Sequence, residues 1–474
     1  MIPFYIAGRP ATSTETLTVR HPYDTQVVGE TSLATEEQVA EAVAAAATAA
    51  APAAALSAAD RAAALDEIST RIKRRSEEFA QLITAENGKP LKWARAEVAR
   101  AVNTFRWAAE EAKRFSGDLQ RLDTDPSAAG RIALIRRAPR GPVLGIAPFN
   151  FPLNLVAHKV APALAVGAPI IVKPAPATPL TALLLGEIMS RLDLPAGMFS
   201  VLPIPNDRAA ALVADPRLPV VSFTGSGPVG ARIRAAVPEK HVTLELGGNA
   251  AALICQDWPD LDQAAQRIAT FGNYQAGQSC VAVQRVFVHR DHMAAFTPKL
   301  IAAVEALKTG DPRDETTDVG PVIDEKAAAR IEEWITEATA KGGRILTGGT
   351  RDGRTIAPTV LTDVPADAKV CADEVFGPVL VLTEVDSDDA GLKAVDDSAF
   401  GLQAGIFTKR LDLAFEAHHR LHVGGVIIGD VPSFRADQMP YGGVKGSGAG
   451  REGIASAMDD YTDPKVMVLT GLQL

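Results

Sequence analysis

Val220-Val-Ser-Phe-Thr-Gly-Ser-Gly-Pro-Val-Gly230 reads as an apolar strand, a glycine turn and the start of a helix. Its glycines satisfy G-x-G-x-x-G, and the strand–turn–helix setting gives that pattern meaning. Small residues let a backbone approach a pyrophosphate, and a helix N-terminus supplies partial positive charge. Taken alone, the pattern suits a plain tight turn at least as well. Its surroundings decide the fold. Apolar runs at residues 143–146, 170–172, 199–202 and 220–223 alternate with helical segments, as βαβ units of a parallel sheet do. A second set follows at 251–254, 285–288, 379–382, 405–407 and 426–428. The fold class is therefore α/β with two Rossmann-like lobes.

Upstream, Thr35-Glu-Glu-Gln38 and Ser57-Ala-Ala-Asp60 have the form of capping boxes. The second helix is expected to run to Asn87-Gly88, and a third to span residues 91–113. The spacing of Leu65, Ile68, Ile72, Phe79 and Ile83 marks a packed helical face rather than disorder. Arg131-Ile-Ala-Leu-Ile-Arg136 alternates as an exposed ribbon, and the apolar tail 463–474 is expected to pair with it or with a neighbouring subunit. A ribbon edge needs cover, so a homodimer or homotetramer is expected.

A chain of 474 residues implies two or three domains. Its 47% hydrophobic and 22% charged content is that of a soluble globular protein. The net charge of −9, without a basic block, argues against a nucleic acid partner. Three cysteines point to a reducing compartment. The N-terminus lacks the charged-then-apolar pattern of a signal peptide. The apolar stretch 39–56 is alanine-rich and interrupted by Glu41 and Pro52, unlike the ~20 strongly apolar residues of a membrane span. A cytoplasmic protein without a membrane partner is expected.

Phe271-Gly-Asn-Tyr-Gln-Ala-Gly-Gln-Ser-Cys280 sets a thiol after a glycine-bearing turn at the end of a helix-like segment. A thiol nucleophile needs a depressed pKa or a base, and Glu245 is a carboxylate candidate. Yet Glu245 also lies 20 residues beyond Gly225, where a dinucleotide fingerprint places its ribose-binding acid. Base, ribose ligand and solvated strand end all remain open readings. Cys255 reads as a buried small hydrophobe, and Cys371 as structural or partly exposed.

Seen together, Pro148-Phe-Asn-Phe-Pro152, Ile171-Val-Lys-Pro-Ala175, Phe223-Thr-Gly-Ser226, Leu244-Glu-Leu-Gly-Gly-Asn249, Gly277-Gln-Ser-Cys280, Glu374-Val-Phe-Gly-Pro378 and Pro440-Tyr-Gly-Gly-Val-Lys445 occur in this order. The chain resembles the aldehyde dehydrogenase superfamily, non-acylating branch, over essentially its whole length. It looks most like members of the lactaldehyde, sulfolactaldehyde and phosphonoacetaldehyde dehydrogenase type. The resemblance implies a dinucleotide-binding domain from 1–118 and 141–246, a catalytic domain from 247–440, and an oligomerisation element from 119–140 and 460–474. It implies that Cys280 attacks the aldehyde, that Asn150 and the Cys280 N–H hold the oxyanion, and that Glu245 activates the hydrolytic water. This resolves the rival readings of Glu245 toward catalysis. Phe149, Lys173, Gly225, Ser226, Glu374 and Phe376 would hold NAD or NADP, with no metal. Pro176 stands where many NAD-preferring relatives carry a glutamate, so NADP is admissible.

For the substrate, His158 lies two helical turns beyond Asn150. Counting from the resembled motifs brings Ser433, Arg435 and Arg100 to the aldehyde tunnel. Arginines there suit a small aldehyde with a carboxylate, sulfonate or phosphonate tail; surface or salt-bridged arginines are the plain alternative. Two further readings stand beside this one: a coenzyme A-acylating enzyme, whose family members generally lack the glutamate, and a non-catalytic dinucleotide-binding protein.

Overall fold

Runs of three to five apolar residues are too short for helices, and their unbroken burial suits strands covered on both faces. In a computed structural model, which describes residues 1–471, these runs form inner strands of two sheets, except that Gly425–Ile428 lies half-buried at the edge of the second. The first has the order Arg9–Ala11, Phe4–Ile6, Phe199–Val201, Ile170–Lys173, Val143–Ile146, Val220–Thr224, His241–Glu245, Gly448–Ala449. The five strands from Phe199–Val201 to His241–Glu245 are parallel. From Val143–Ile146, the next two strands of the sheet in sequence go to one side and the following two to the other. That reversal leaves a crevice beyond the carboxyl ends of Val143–Ile146 and Val220–Thr224, where open α/β sheets take their ligands.

The chain leaves this sheet at Glu245 and enters the second at Ala251. The second sheet has the order Arg344–Thr347, Thr359–Thr362, Val379–Val385, Arg285–His289, Ala251–Ile254, Gln403–Phe407, Gly425–Ile428. All its pairings are parallel except that of Arg344–Thr347. Late in the chain, Gly448–Ala449 returns to pair with His241–Glu245. A third, three-stranded sheet closes the tail: Thr462–Thr470 pairs antiparallel with Arg131–Pro139, which pairs with Gly117–Arg121. The ribbon therefore finds the tail of its own chain; residues 472–474 of that tail lie outside the described residues.

The helices depart from expectation in two places. Thr35 and Gln38 form a reciprocal capping box on Glu36–Ala55. Ser57 accepts from the Asp60 N–H, but its hydroxyl donates to the Asp60 carboxylate, whose shorter side chain does not return to the Ser57 backbone. The expected helix from Ser57 to Gly88 is two helices, Ala58–Arg74 and Ser76–Asn87, broken at Arg75 (φ −106°, ψ 21°). There the guanidinium turns aside to Glu78 and Glu187. Apolar residues on both sides of the break stay buried, so the periodicity survives a bend that it cannot report. Helix Leu91–Arg114 forms as expected. No single helix among the described residues is long and apolar enough to cross a membrane.

Candidate active site

Helix Leu261–Asn273 delivers the chain to the thiol through an unusual turn. Gln275 (φ 54°), Ala276 (φ 56°) and Gly277 (φ 70°) are left-handed in succession. For the two non-glycine residues this costs roughly 1–3 kcal/mol each. The strain is held by burial of both side chains and by Gln278, whose Nε2 donates to the Gln275 carbonyl and whose Oε1 accepts from the Ile323 N–H. Gly277 is obligatory, because a Cβ there would lie 2.1 Å from the Gly377 carbonyl oxygen. Cys280 follows, half-buried, with Sγ 3.0 Å from the Tyr441 hydroxyl. Burial pushes the thiol up to about 12, while the Tyr441 hydrogen bond and the Arg435 charge pull the other way.

Asn150 sits on the loop leaving Val143–Ile146, and its Nδ2 donates to the Gln278 carbonyl at 3.0 Å. The amide is thereby tied to the cysteine turn. Its loop is fixed from both sides. The Phe149 carbonyl accepts from Asn87 Nδ2 at 2.8 Å. Glu97 Oε1 accepts from the backbone N–H groups of Leu153 and Asn154, capping helix Asn154–Val166. Glu97 also pairs with Lys89 in a fully buried ion pair, and the Lys89 ammonium lies 4.2 Å over the Phe151 ring.

Glu245 ends its strand only 3% exposed, and neither carboxylate oxygen has a hydrogen-bond partner. Burial, then the nearby Glu452 charge, raises its proton affinity well above the carboxylate range. The Gly442 backbone packs so closely that a Cβ would stand 2.7 Å from Glu245 Oε1. Glu452 behaves oppositely. Burial opposes its charge, but Lys159 and Arg435 hold it down to about 2. Lys159 is fully buried and donates to Ser222 Oγ, Thr224 Oγ1 and Glu452 Oε1 at 3.1, 2.7 and 3.4 Å. Arg435 Nη2 lies 3.1 Å from Glu452 Oε2, with the guanidinium 3.8 Å over the Tyr441 ring.

Four residues were expected at the substrate, and the structure distributes them. Arg100 and His158 converge on Asp437: Arg100 Nη2 donates at 2.8 Å and His158 Nε2 lies at 3.1 Å. Against the upward push of burial, His158 and Arg100 hold Asp437 well below the usual carboxylate range. His158 is therefore a buried, tethered imidazole rather than a free wall of the tunnel, with its own affinity for a proton lowered by burial. Arg435 is likewise not a free guanidinium. Its side chain is 7% exposed, against 30% for Arg100. Ser433 donates to the carbonyl of Val281, next to Cys280, at 2.6 Å. Sequence reasoning missed Asp437, Tyr441, Lys159, Glu452 and the Lys89–Glu97 pair. The one local signal was a lysine inside the wholly buried helix Asn154–Val166.

Of the residues expected at the dinucleotide, Lys173 ends a strand, Gly225 and Ser226 follow one, and Phe149, Glu374 and Phe376 lie on loops. Lys173 Nζ donates to Asn206 Oδ1 at 2.8 Å, and burial lowers its pKa to about 8. The Gly225 N–H donates to the Glu245 carbonyl, and Ser226 begins helix Gly227–Ala236 with no side-chain capping bond. Glu374 Oε1 accepts from the Gly248 N–H at 3.0 Å, and burial pushes the carboxyl up to about 7. Phe376, at φ 47°, meets Phe149 edge-on with ring centroids 5.9 Å apart. The two aromatic residues come together; Lys173 and Glu374 make no hydrogen bond to each other. Among the described residues no group of His, Cys, Asp or Glu is placed to hold a metal ion. Cys255 and Cys371 are free thiols, the first buried, both with raised pKa from burial.

The sequence profile of the aldehyde dehydrogenase family matches residues 9–467, and the chain belongs to that family. It is an oxidoreductase that converts an aldehyde to the carboxylic acid. It is 41% identical over 468 residues to the 3-sulfolactaldehyde dehydrogenase of Priestia aryabhattai, covering 98% of this chain and 97% of that one. The crystal structure of aldehyde dehydrogenase 21 from Physcomitrella patens, in complex with the reaction product succinate, matches with a TM-score of 0.97 at 44% identity, covering 99% of this chain and 98% of that one. The NADP-dependent glyceraldehyde-3-phosphate dehydrogenase of Bacillus halodurans, complexed with NADP, matches with a TM-score of 0.95 at 33% identity, covering 99% of each chain.

Proposed function

We propose that the protein oxidises a small aldehyde with a polar or anionic tail to the free acid, using NAD or NADP, with Cys280 as the nucleophile. One observation carries the reading: the Asn150 amide is tied to the cysteine turn at 3.0 Å, while Glu245 ends its strand buried, with both carboxylate oxygens free of hydrogen-bond partners and its proton affinity raised as a general base requires. The Cys280 sulfur attacks the aldehyde carbon to give a thiohemiacetal. The second N–H of Asn150 and the Cys280 backbone N–H stabilise the oxyanion, and losing one such donor costs about 3–4 kcal/mol. Oxidation leaves a thioester on Cys280. Glu245, with no partner of its own, takes a proton from the water that hydrolyses the thioester.

The donor set around the crevice fits a dinucleotide. Gly225 approaches so closely that a Cβ would strike the Phe223 ring, the Ser226 hydroxyl is unused by its helix, Lys173 has one partner and Glu374 commits one oxygen. Lys173 and Glu374 would hold ribose hydroxyls, Gly225 and Ser226 the pyrophosphate, and Phe149 and Phe376 the nicotinamide side. When bound, the dinucleotide supplies the hydride acceptor. Pro176 offers no charge to repel a 2′-phosphate, so both cofactors are admitted.

The 3-sulfolactaldehyde specificity in the name of one relative and the succinate held by another support an anionic tail. Arg100, the more exposed arginine, is the cation such a tail reaches. Arg435, locked between Glu452 and Tyr441, acts on the thiol instead. The sheet from Val143–Ile146 to His241–Glu245 forms the dinucleotide lobe, and the second sheet carries Cys280. Leu119, Val466, Met467 and Val468 are exposed on the three-stranded sheet, which supports a homodimer or homotetramer contact. Three free thiols suit a cytoplasmic setting.

The test is an aldehyde panel read by reduced-nicotinamide absorbance, with NAD and NADP in parallel and with or without coenzyme A. Cys280→Ala should abolish oxidation and retain dinucleotide binding. Undiminished oxidation would remove the mechanism, and an acyl-coenzyme A product would replace the hydrolytic outcome.

A further inference from the structure

We propose that Tyr441 is a positioning residue for the nucleophile: its hydroxyl, aimed by the Arg435 guanidinium stacked on its ring, donates a hydrogen bond to the Cys280 sulfur and favours the thiolate. The proposal rests on the reading of Cys280 as nucleophile and adds to it a source of activation that motif matching does not supply.

Burial alone makes Cys280 a poor nucleophile, because a thiolate taken out of water is disfavoured. Something in the site must favour the charged sulfur. Tyr441 is 4% exposed, and a buried phenol needs a hydrogen-bond partner. Among the described residues its hydroxyl has one, the Cys280 sulfur at 3.0 Å, and the sulfur has no other. The ring cannot drift from this contact. Its backbone N–H donates to the Glu452 carbonyl at 2.9 Å and its carbonyl accepts from the Glu452 N–H at 2.6 Å. Glu452 in turn grips Arg435, and the Arg435 guanidinium carbon lies 3.8 Å over the Tyr441 ring centroid. A cation held against the ring face is attracted to its π-electrons and draws density from the phenol, which makes the O–H a stronger donor.

The direction of the hydrogen bond follows from the phenol's proton affinity. Burial first, then the adjacent thiol, keep Tyr441 protonated far above the usual tyrosine range. When the S–H bond breaks, the proton leaves the pair for Glu245 or water; Tyr441 keeps its own and donates to the sulfur that gained the negative charge. No oxidant or further reactant is involved. An aromatic ring serving only as an apolar wall would need neither the hydroxyl nor the buried guanidinium stacked on it.

The test is the rate of Cys280 alkylation by iodoacetamide against pH, followed by peptide mass spectrometry so that Cys371 is scored separately. Wild type, Tyr441→Phe and Cys280→Ser are compared as full-length proteins, each first shown to bind dinucleotide. Tyr441→Phe keeps the ring and its packing. Below the thiol's midpoint its alkylation should be about tenfold slower, with the wild-type rate regained about one pH unit higher, a unit being worth 1.36 kcal/mol. The pH profile of kcat/KM for aldehyde oxidation should move in the same direction by the same amount. Coincident alkylation profiles for wild type and Tyr441→Phe would overturn the proposal, and so would a loss equal at every pH. Cys280→Ser that still oxidises aldehydes would overturn the underlying nucleophile reading instead, which keeps the two failures apart.

Discussion

Lys159 and Glu452, separated by 293 positions in the chain, form a buried pair at 3.4 Å, and the Glu452 charge is one of the two largest influences on Glu245. The pair joins helix Asn154–Val166 to the segment that returns from the second lobe. It also fixes two carboxylates with opposite behaviour in one pocket, one whose proton affinity is lowered and one whose proton affinity is raised.

Glu452→Gln removes the like charge that faces Glu245. With that repulsion gone Glu245 loses its proton more readily, so the rise of kcat with pH should move to lower pH. Stopped-flow and steady-state profiles of the thioester hydrolysis step check this; an unmoved limb would mean that Glu245 does not control it. Some stability is lost in the same variant, because Lys159 and Arg435 are left without their counter-charge.

Arg100→Ala should raise KM for carboxylate- or sulfonate-bearing aldehydes by roughly tenfold or more, as expected for losing a charge-assisted contact of about 1.5–3 kcal/mol, and leave neutral aldehydes nearly unchanged. Arg435→Ala should lower kcat for both kinds alike. Equal KM effects of Arg100→Ala on charged and neutral aldehydes would refute the anchoring role.

Lys89→Met strands Glu97 as an unpaired buried charge. Loss of one partner of such a pair costs about 3–5 kcal/mol, visible as a fall in Tm by thermal denaturation. Because Glu97 caps the helix behind Asn150, kcat should fall as well, by weakened oxyanion support. An unchanged Tm would show that the pair is not needed for stability.

Lys173 has its pKa lowered to about 8 by burial. It is charged below that pH and neutral above it, so a charge-dependent ligand is held better on the acid side. NADP affinity, measured by fluorescence titration at pH 7 and pH 9, should weaken across this window more than NAD affinity does. Parallel losses for both would remove Lys173 from the 2′-phosphate.

What could be read from the sequence follows a physical division. The inner strands were legible because a strand buried on both faces is a continuous apolar run, as at Val143–Ile146 and Ala251–Ile254. Lys173, Glu245 and Ser226 were legible because motif residues fall where such runs end. The break at Arg75 was not, since apolar spacing is the same on both sides of it. Nor were the left-handed residues Gln275 and Ala276, whose conformation is imposed by tertiary packing rather than by residue type. The tethering of Arg100, His158 and Arg435 was hidden for another reason. Each is held by a partner, Asp437 or Glu452, that local pattern does not connect to it.

Gly277 and Gly377 lie back to back, with no room at 277 for even one methyl group. The turn that presents the sulfur and the turn that presents Phe376 are thus a single mechanical piece, and neither can shift without carrying the other. A substitution on either turn is therefore felt on the other, so the sulfur of Cys280 and the ring of Phe376 keep their separation or lose it together.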